Sequence, residues 1–472
     1  MPSGHVPPVL LEAAVRALHE AIGVDAVVTD VESLCATSHD TWPLTTKWSR
    51  LGQHPNRADI LVRATSVAQV SAVLAIATEF GVPVTVRALA SSVTGQPLPV
   101  RGGIVLDVTG LPSELDINET DLMVTVSASQ PGGELEDELQ RRGFTLGHSP
   151  QSLYRSTVGG WVATMATGQF SSLYGGIEDL VVGYTVMLAN GALVDLRAKP
   201  RAAMGPDLRQ IFIGSEGTLG VVLSVTLKIF PIAEAELLQS FSLPDVTTGL
   251  DLVRRLVATG LRPFLVRLYD VDEARHALSD PSTSSPVLFL GFRGTRQVAE
   301  AEWEVAGHLA MGAGAIVTGP APVEAWMARR FDFSSVENLL EMDGGYAETI
   351  EVAHYWSEIE GLYHALKEAL APLADEVLVH FSHVYPQGTS MYVILLGRAA
   401  DDRAAIARIE AIWATTMNIC LDHGAELSHH HGGGLARSPY AERALGSAHQ
   451  LLRALKGALD PRGILNPGKL GL

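Results

Sequence analysis

At 472 residues, with 47% hydrophobic and 18% charged side chains and 45 glycines, the chain reads as two or three globular units rich in turns, neither disordered nor fibrous. Its formal charge of −18 is spread without a long acidic run, and that field repels a phosphate backbone, so nucleic acid is excluded as an expected partner. The two cysteines, Cys35 and Cys420, stand too far apart for a disulfide framework or a metal-ligand spacing, and no metal is expected. No apolar stretch is long enough to span a bilayer. Met1 to Val6 carry no secretory pattern, and the closing Lys469-Leu470-Gly471-Leu472 is no organelle address. The expected compartment is the cytoplasm.

Apolar residues at helical spacing predict an opening helix over residues 10–22. Asp59-Ile60-Leu61-Val62-Arg63 reads as a buried strand; Ser66 then caps a helix to about Phe80, Gly81 ends it, and residues 83–86 form the next strand. This strand–helix–strand unit predicts a small α/β subdomain. Strands follow at 103–108 and 123–127, with a helix at 133–142. Strands at 181–188 and 192–197 flank Asn190-Gly191, a two-residue hairpin signal. Residues 220–229 are a further strand, closed by Pro231. Beyond it, segments 237–243, 250–258, 264–269, 287–292 and 299–310 alternate strand and helix, which predicts an antiparallel sheet with helices on one face. A strand at 391–396 and a helix at 403–423 complete it. An amphipathic helix over 441–459 precedes Asp460-Pro461. No short repeat is present, which excludes a solenoid.

The chemistry concentrates in the middle. Ser156-Thr157-Val158-Gly159-Gly160-Trp161-Val162-Ala163-Thr164 is rich in small and hydroxylated residues, and Gly214-Ser215-Glu216-Gly217-Thr218-Leu219-Gly220 precedes a strand. Such stretches let backbone approach a flat ligand and offer N–H and O–H groups to a pyrophosphate; equally they make tight packing turns. Together with Gly147-His148-Ser149-Pro150, Tyr174-Gly175, Ile177-Glu178-Asp179-Leu180-Val181-Val182 and Gly205-Pro206-Asp207, they form an ordered, ungapped block. That block resembles the alkyldihydroxyacetonephosphate synthases, flavoenzymes of the vanillyl-alcohol oxidase superfamily. The resemblance extends more weakly from about Asp59 to the C-terminus. It implies an α+β fold: a PCMH-type FAD-binding domain of two α/β subdomains at 57–232 and an antiparallel-sheet cap with helices at 233–435. Residues 1–56 precede them, and 436–472 return to the FAD domain.

By the same resemblance, non-covalent FAD falls on three blocks: Val86, Arg87, Ala88, Leu89, Ala90, Ser91 and Ser92; Gln151, Ser152, Leu153, Tyr154, Arg155, Ser156 and Thr157 with Thr164, Met165, Ala166 and Thr167; and Glu216, Gly217, Thr218, Leu219, Gly220, Val221 and Val222. The first block departs from the family, which has glycines where this chain has Ala88-Leu89-Ala90. Glycine serves such a loop by reaching positive φ, and a bulky Leu89 resists it. Ser91 stands where relatives with covalent flavin place histidine, so no covalent link forms there.

His429-His430-His431, followed by three glycines, reads from the residues alone as acid–base or anion-binding imidazoles or as a surface tract. The resemblance assigns these histidines proton transfer and anion binding beside the flavin. It makes Tyr392 an acid/base and places Arg267 near the flavin ring. Tyr392 alone reads as a strand tyrosine facing a sheet core, and a lone Arg267 in an apolar strand requires a partner or a function. The synthases' phosphate-holding arginine falls on Ser334, with Arg329, Arg330 and Arg437 as substitutes. Three functions follow as expectations: a synthase-like transferase acting on a small hydroxylated or ketone-containing substrate; an FAD-dependent oxidase or dehydrogenase of a hydroxy or amino substrate without phosphate recognition; and a flavin-free descendant. The partners expected are a small-molecule substrate and, by family resemblance, a second copy of the chain, with no membrane contact beyond a peripheral one.

Overall fold

The computed structural model describes residues 6–472. Residues 1–5, which carry most of the segment read as lacking a secretory pattern, lie outside the described residues. Near the start, the predicted strand–helix–strand unit becomes a four-stranded sheet. Ile60–Arg63, Ile104–Asp107 and Val84–Arg87 run parallel in that order, with Val27–Val28 antiparallel at the edge. The crossover helix Val67–Phe80 begins where the Ser66 side chain accepts the Gln69 amide and ends at Gly81, φ +66°. Its Val70, Val73, Leu74 and Ala77 share one core with Ala14 and Leu18 of the opening helix Pro8–Ile22.

A second sheet is wholly antiparallel, in the order Leu115–Asn118, Met123–Ser127, Val221–Lys228, Val181–Met187 and Leu193–Leu196. Asn190-Gly191 turns its last hairpin, with Gly191 at φ +79°. Between its strands runs the small-residue segment, whose helix Val158–Thr164 starts where the Thr157 side chain accepts the Gly160 amide. Gly159 serves packing there, since a Cβ on it would sit 2.6 Å from that of Ala128.

The third sheet has seven antiparallel strands in the order Ile316–Gly319, Ala235–Ser242, Val287–Gly294, Leu265–Tyr269, Glu376–Val384, Gly388–Arg398 and Gly345–Tyr355. Successive residues of a strand face opposite sides. Val266, Leu268, Val379, Phe381, Met391 and Val393 enter the core with the helices Val246–Ala258, Ile359–Leu370 and Asp402–Asp422. Their neighbours Arg267, Tyr269, His380, Ser382 and Tyr392 face the other way, across a cavity towards the first two sheets. Tyr392 is therefore on the cavity face, not in the sheet core.

Both ends of the chain bind the units together. Lys47, fully buried, bonds Asp402 at 2.7 Å and the carbonyls of Leu340 and Met342, fastening the helix Pro43–Arg50 to the seven-stranded side. At the other end, Asn466 donates its amide to Val84 and Lys456 its ammonium to the Thr218 carbonyl. The single helix expected over 441–459 is two, Ala441–Leu445 and Ala448–Leu459, parted by Gly446 at φ +52°. The helix Ala441–Leu445 buries none of its side chains, so the apolar pattern there reports no packing and misses the turn.

Candidate active site

The cavity between the seven-stranded sheet and the two smaller ones has a volume of about 970 Å³. Its first wall is largely backbone. Val86, Ala88, Leu89, Ala90, Ser91 and Ser92 line it, and among the described residues the amides of Ala88 to Val93 find no acceptor within the protein. Amides screened from water are rarely left unpaired; a run of them along a cavity fits the pyrophosphate of a dinucleotide. The loop is fixed from below. Asp40 accepts the Ser92 hydroxyl at 2.7 Å and the Gly95 amide at 2.9 Å, and Thr41 Oγ1 donates to the carbonyls of Ser91 and Ser92.

The expected obstacle at Leu89 is not there. Ala90 takes the left-handed conformation, φ +53°, and Leu89 does not. The substitution of glycine thus costs about 1 kcal/mol at one alanine, while the Leu89 side chain, 45% exposed, stands at the cavity wall.

Of the remaining cofactor positions, Gln151, Ser152, Arg155, Ser156, Thr157, Thr164, Ala166 and Thr167 line the cavity, as do Glu216, Gly217, Gly220, Val221 and Val222. Six positions do not. Arg87 points back to the carbonyls of Thr37 and His39. Leu153 and Leu219 belong to the core of the second sheet. Tyr154 is exposed, with its hydroxyl on Asp137 at 3.0 Å. Met165 ends its helix in the left-handed conformation, and Thr218 is buried with its hydroxyl on the Ser215 carbonyl. A contiguous block cannot present every side chain to one ligand, because the turns it forms send some inward to the core.

The opposite wall is built by strand register. Tyr269, His380, Tyr392 and Glu351 stand side by side on four adjacent strands. Arg267 Nε donates to Tyr269 Oη at 2.8 Å, and its Nη2 lies 2.9 Å from His380 Nε2. A guanidinium only donates, so His380 Nε2 accepts and the ring proton sits on Nδ1, 2.7 Å from Glu273. Burial pushes the Glu273 carboxyl up to about 8 against the pull of Arg267. Arg267 also lies over the Trp326 ring at 4.8 Å.

The His380 ring stacks on Tyr392, whose hydroxyl is 3.4 Å from His431 Nε2. Burial pushes the Tyr392 phenol up to about 12 and pulls His431 down to about 4, although Glu351 opposes the latter. At neutral pH the phenol is therefore a protonated donor and the imidazole a neutral acceptor.

Two buried carboxylates suspend the histidine loop. Glu351 accepts the amides of His429, His430 and His431 and the Ser428 hydroxyl. Burial opposes its ionisation, yet Arg437 at 3.2 Å and the neighbouring histidines hold it below the usual carboxylate range. Glu216, placed by the sequence among the flavin contacts, accepts the amides of Gly433 and Gly434.

His430 and His431 line the cavity; His429 does not, and turns instead to Tyr385. His383 adds a fourth imidazole from a bulge at φ +52°, with its Nδ1 bonded to Ser171 at 2.9 Å. His380, His383 and Glu273 were not anticipated from sequence. The one signal at Glu273 is Asp270-x-x-Glu273, which reads as a helix cap and is one, since Asp270 accepts the Glu273 amide.

The arginines proposed as substitutes for the one replaced by Ser334 are largely committed elsewhere. Arg437 is buried against Glu351 and the carbonyls of Leu427 and Gly432, away from the cavity. Arg329 lines the cavity but bonds the Ala277 carbonyl and Ser279. Arg330 lines the cavity but stacks over Phe331 at 4.2 Å. Ser334 begins the helix Ser334–Glu341 and is not among the lining residues.

A cradle of unpaired backbone amides thus faces a wall of titratable side chains and Arg267, an arrangement that fits a flavin-dependent enzyme. The chain belongs to the FAD-linked oxidases: residues 58–197 match the FAD binding domain and residues 232–470 the C-terminal domain of FAD linked oxidases. FAD is its cofactor, and the flavin-free reading is set aside. The fold is of the vanillyl-alcohol oxidase (PCMH) type. It superposes on p-cresol methylhydroxylase with a TM-score of 0.85 at 16% identity, over 100% of this chain and 98% of that one. The chain is 31% identical to an uncharacterized FAD-linked oxidoreductase, YgcU, of Escherichia coli K12, over 97% of this chain and 98% of the relative. It is 26% identical to the alkyldihydroxyacetonephosphate synthase of Dictyostelium discoideum, covering 89% and 74%, and 26% identical to the glycolate oxidase subunit GlcD of Bacillus subtilis, covering 89% and 90%.

Among the described residues no helix is long and apolar enough to cross a membrane.

Proposed function

We propose that the protein oxidises a small hydroxylated anion, a 2-hydroxy acid or an alcohol carrying a similar acidic group, at a site formed by Arg267, Tyr392, His430 and His431. The observation that carries this reading is Arg267 on the cavity wall, whose guanidinium bonds Tyr269 and His380 but no carboxylate, two residues along its strand from the row holding His380 and Tyr392. FAD, when bound, supplies the hydride acceptor. Arg267 holds the acidic group, with Tyr269, His380 and Trp326 fixing its guanidinium. His431 or His430, neutral and screened from water, accepts the hydroxyl proton as the C–H bond breaks, and Tyr392 donates a hydrogen bond to the oxygen that becomes a carbonyl. FAD is held non-covalently, with Ser91 at the position where a histidine would form a link.

A second reading, exchange of an acyl group for a fatty alcohol on a phosphorylated ketone, is supported by the synthase relatives and by Tyr392 and the three histidines. A serine at 334, where the synthases hold an arginine, and the commitment of Arg437 to Glu351 favour oxidation. Mixing the FAD-loaded protein anaerobically with glycolate, D-lactate and other hydroxy acids separates the two. Oxidation predicts loss of the visible flavin band. A band unchanged by every acid, with ether product formed from acyl-dihydroxyacetone phosphate and a fatty alcohol, establishes the second reading instead.

A further inference from the structure

His429 is the one histidine of the triplet that does not line the cavity, yet its hydrogen bonds connect the cavity to the surface. Tyr385, at the turn between the strands Glu376–Val384 and Gly388–Arg398, is exposed. Its hydroxyl lies 2.7 Å from His429 Nε2, and His429 Nδ1 lies 2.9 Å from His430 Nδ1. His430 lines the cavity, and with Nδ1 engaged its Nε2 remains for a ligand. We propose that Tyr385, His429 and His430 form a proton-conducting chain that carries the substrate hydroxyl proton from the cavity to solvent.

The proposal rests on the oxidation reading above, which releases one such proton per turnover. The chemistry of the chain is fixed by its contacts. Two imidazoles that meet Nδ1 to Nδ1 share a single proton, so one donates and the other accepts. When His430 Nδ1 holds it, His429 carries its own proton on Nε2, donated to Tyr385 Oη, and His430 Nε2 presents a lone pair to the cavity. The substrate O–H proton then passes to His430 Nε2. The His430 Nδ1 proton passes to His429 Nδ1, the His429 Nε2 proton to Tyr385 Oη, and the Tyr385 hydroxyl proton to water. One proton enters, one leaves, and no electrons travel along the chain; both electrons of the C–H bond depart with the hydride. The rings return to their starting tautomers by exchanging protons with water once the product has left the cavity.

The surroundings keep all three rings neutral, as relay requires. Burial lowers His429 and lowers His430 further, and His431 and His429 add to the latter effect while Arg437 does so from behind. Glu351 holds the backbone of the loop and pulls the other way on His429. His383 stacks on His429 with ring centroids 5.0 Å apart and meets the His430 ring at a tilt, 4.9 Å away.

The test has two arms. In the FAD-loaded protein with ¹⁵N-labelled histidine, the chain predicts a scalar coupling across the hydrogen bond between the Nδ1 atoms of His429 and His430. It also predicts a changed His429 Nε2 shift in Tyr385→Phe. Absence of the coupling, or an unmoved shift, overturns the proposal without reference to any substrate. In the second arm, anaerobic flavin reduction by a hydroxy acid that bleaches the wild type is timed in Tyr385→Phe. The expected result is a rate lowered by about tenfold or more, an increased solvent deuterium effect, and recovery on adding imidazole, a small base able to reach the exposed end. A variant that reduces at the wild-type rate, or whose loss imidazole does not mend, overturns the chain and leaves the oxidation reading standing. Failure of every acid to bleach the wild type removes that reading; the coupling alone then supports or overturns the hydrogen-bonded chain.

Discussion

Replacing Glu351 by glutamine tests how the histidine loop is held. The two carboxylate oxygens divide the donors between them: one takes the His431 amide at 2.8 Å, the Ser428 hydroxyl at 2.9 Å and Arg437 at 3.2 Å, the other the amides of His429 and His430. An amide side chain keeps one acceptor and turns its NH2 towards the other set, so at least two donors lose their partner. It also leaves Arg437, 3% exposed, without its counter-charge. Removing one member of such a buried pair costs about 3–5 kcal/mol. For a chain of 472 residues the unfolding entropy is about 1 kcal/mol per kelvin, so Glu351→Gln should unfold about 3–5 °C below the wild type. Release of flavin fluorescence on heating reads the stability, and anaerobic reduction reads the loop. Reduction should slow more than FAD binding weakens, because the cradle lies on the other wall. A Glu351→Gln protein that melts with the wild type and reduces at its rate would refute this account of the loop.

Tyr392→Phe removes a donor from the reacting oxygen and should slow flavin reduction by about 10²-fold or more with FAD still bound, as rapid mixing would show. Since His431 is depressed to about 4, the reduction rate should fall as pH drops through about 4; a break near the ordinary histidine value would contradict its burial. The same depression carries a stability term. Between about 6.5 and 4 the unfolded chain binds the proton and the folded one does not, so stability is lost as pH falls through that window, which urea titrations at several pH values would detect. Ala90→Val puts a β-branched residue at φ +53° and should weaken FAD binding by at least several-fold, measured by flavin titration; unchanged affinity would mean that this turn does not shape the cradle.

Local signals were read faithfully where the cause was local. Ser66 and Gly81 bounded their helix, and Asn190-Gly191 turned its hairpin, because caps and tight turns act within four residues. Alternation in Val266-Arg267-Leu268-Tyr269 separates core from cavity side, but which side holds the cavity depends on what the sheet faces. Glu216 and Glu351 escaped notice as supports of the histidine loop for a related reason. Their partners are backbone amides 217 and 78 residues away, and a backbone donor leaves no mark in sequence. Arg437 looked available because it follows the histidines; the fold turns it inward to the carboxylate that holds them. At Ala88-Leu89-Ala90 composition showed that glycine was missing, but not which residue needed the left-handed conformation.

The stoichiometry of anaerobic reduction decides whether the protein oxidises a 2-hydroxy acid. The FAD-loaded protein is titrated with a 2-hydroxy acid such as glycolate or D-lactate while the visible flavin band and the keto acid product are followed. At least one such acid should bleach the flavin and yield one keto acid per flavin reduced, and Arg267→Met should lose this reaction by about 10-fold or more through the missing charge-assisted contact. A flavin that stays oxidised with every hydroxylated anion, in a protein whose FAD is fully bound, would contradict it.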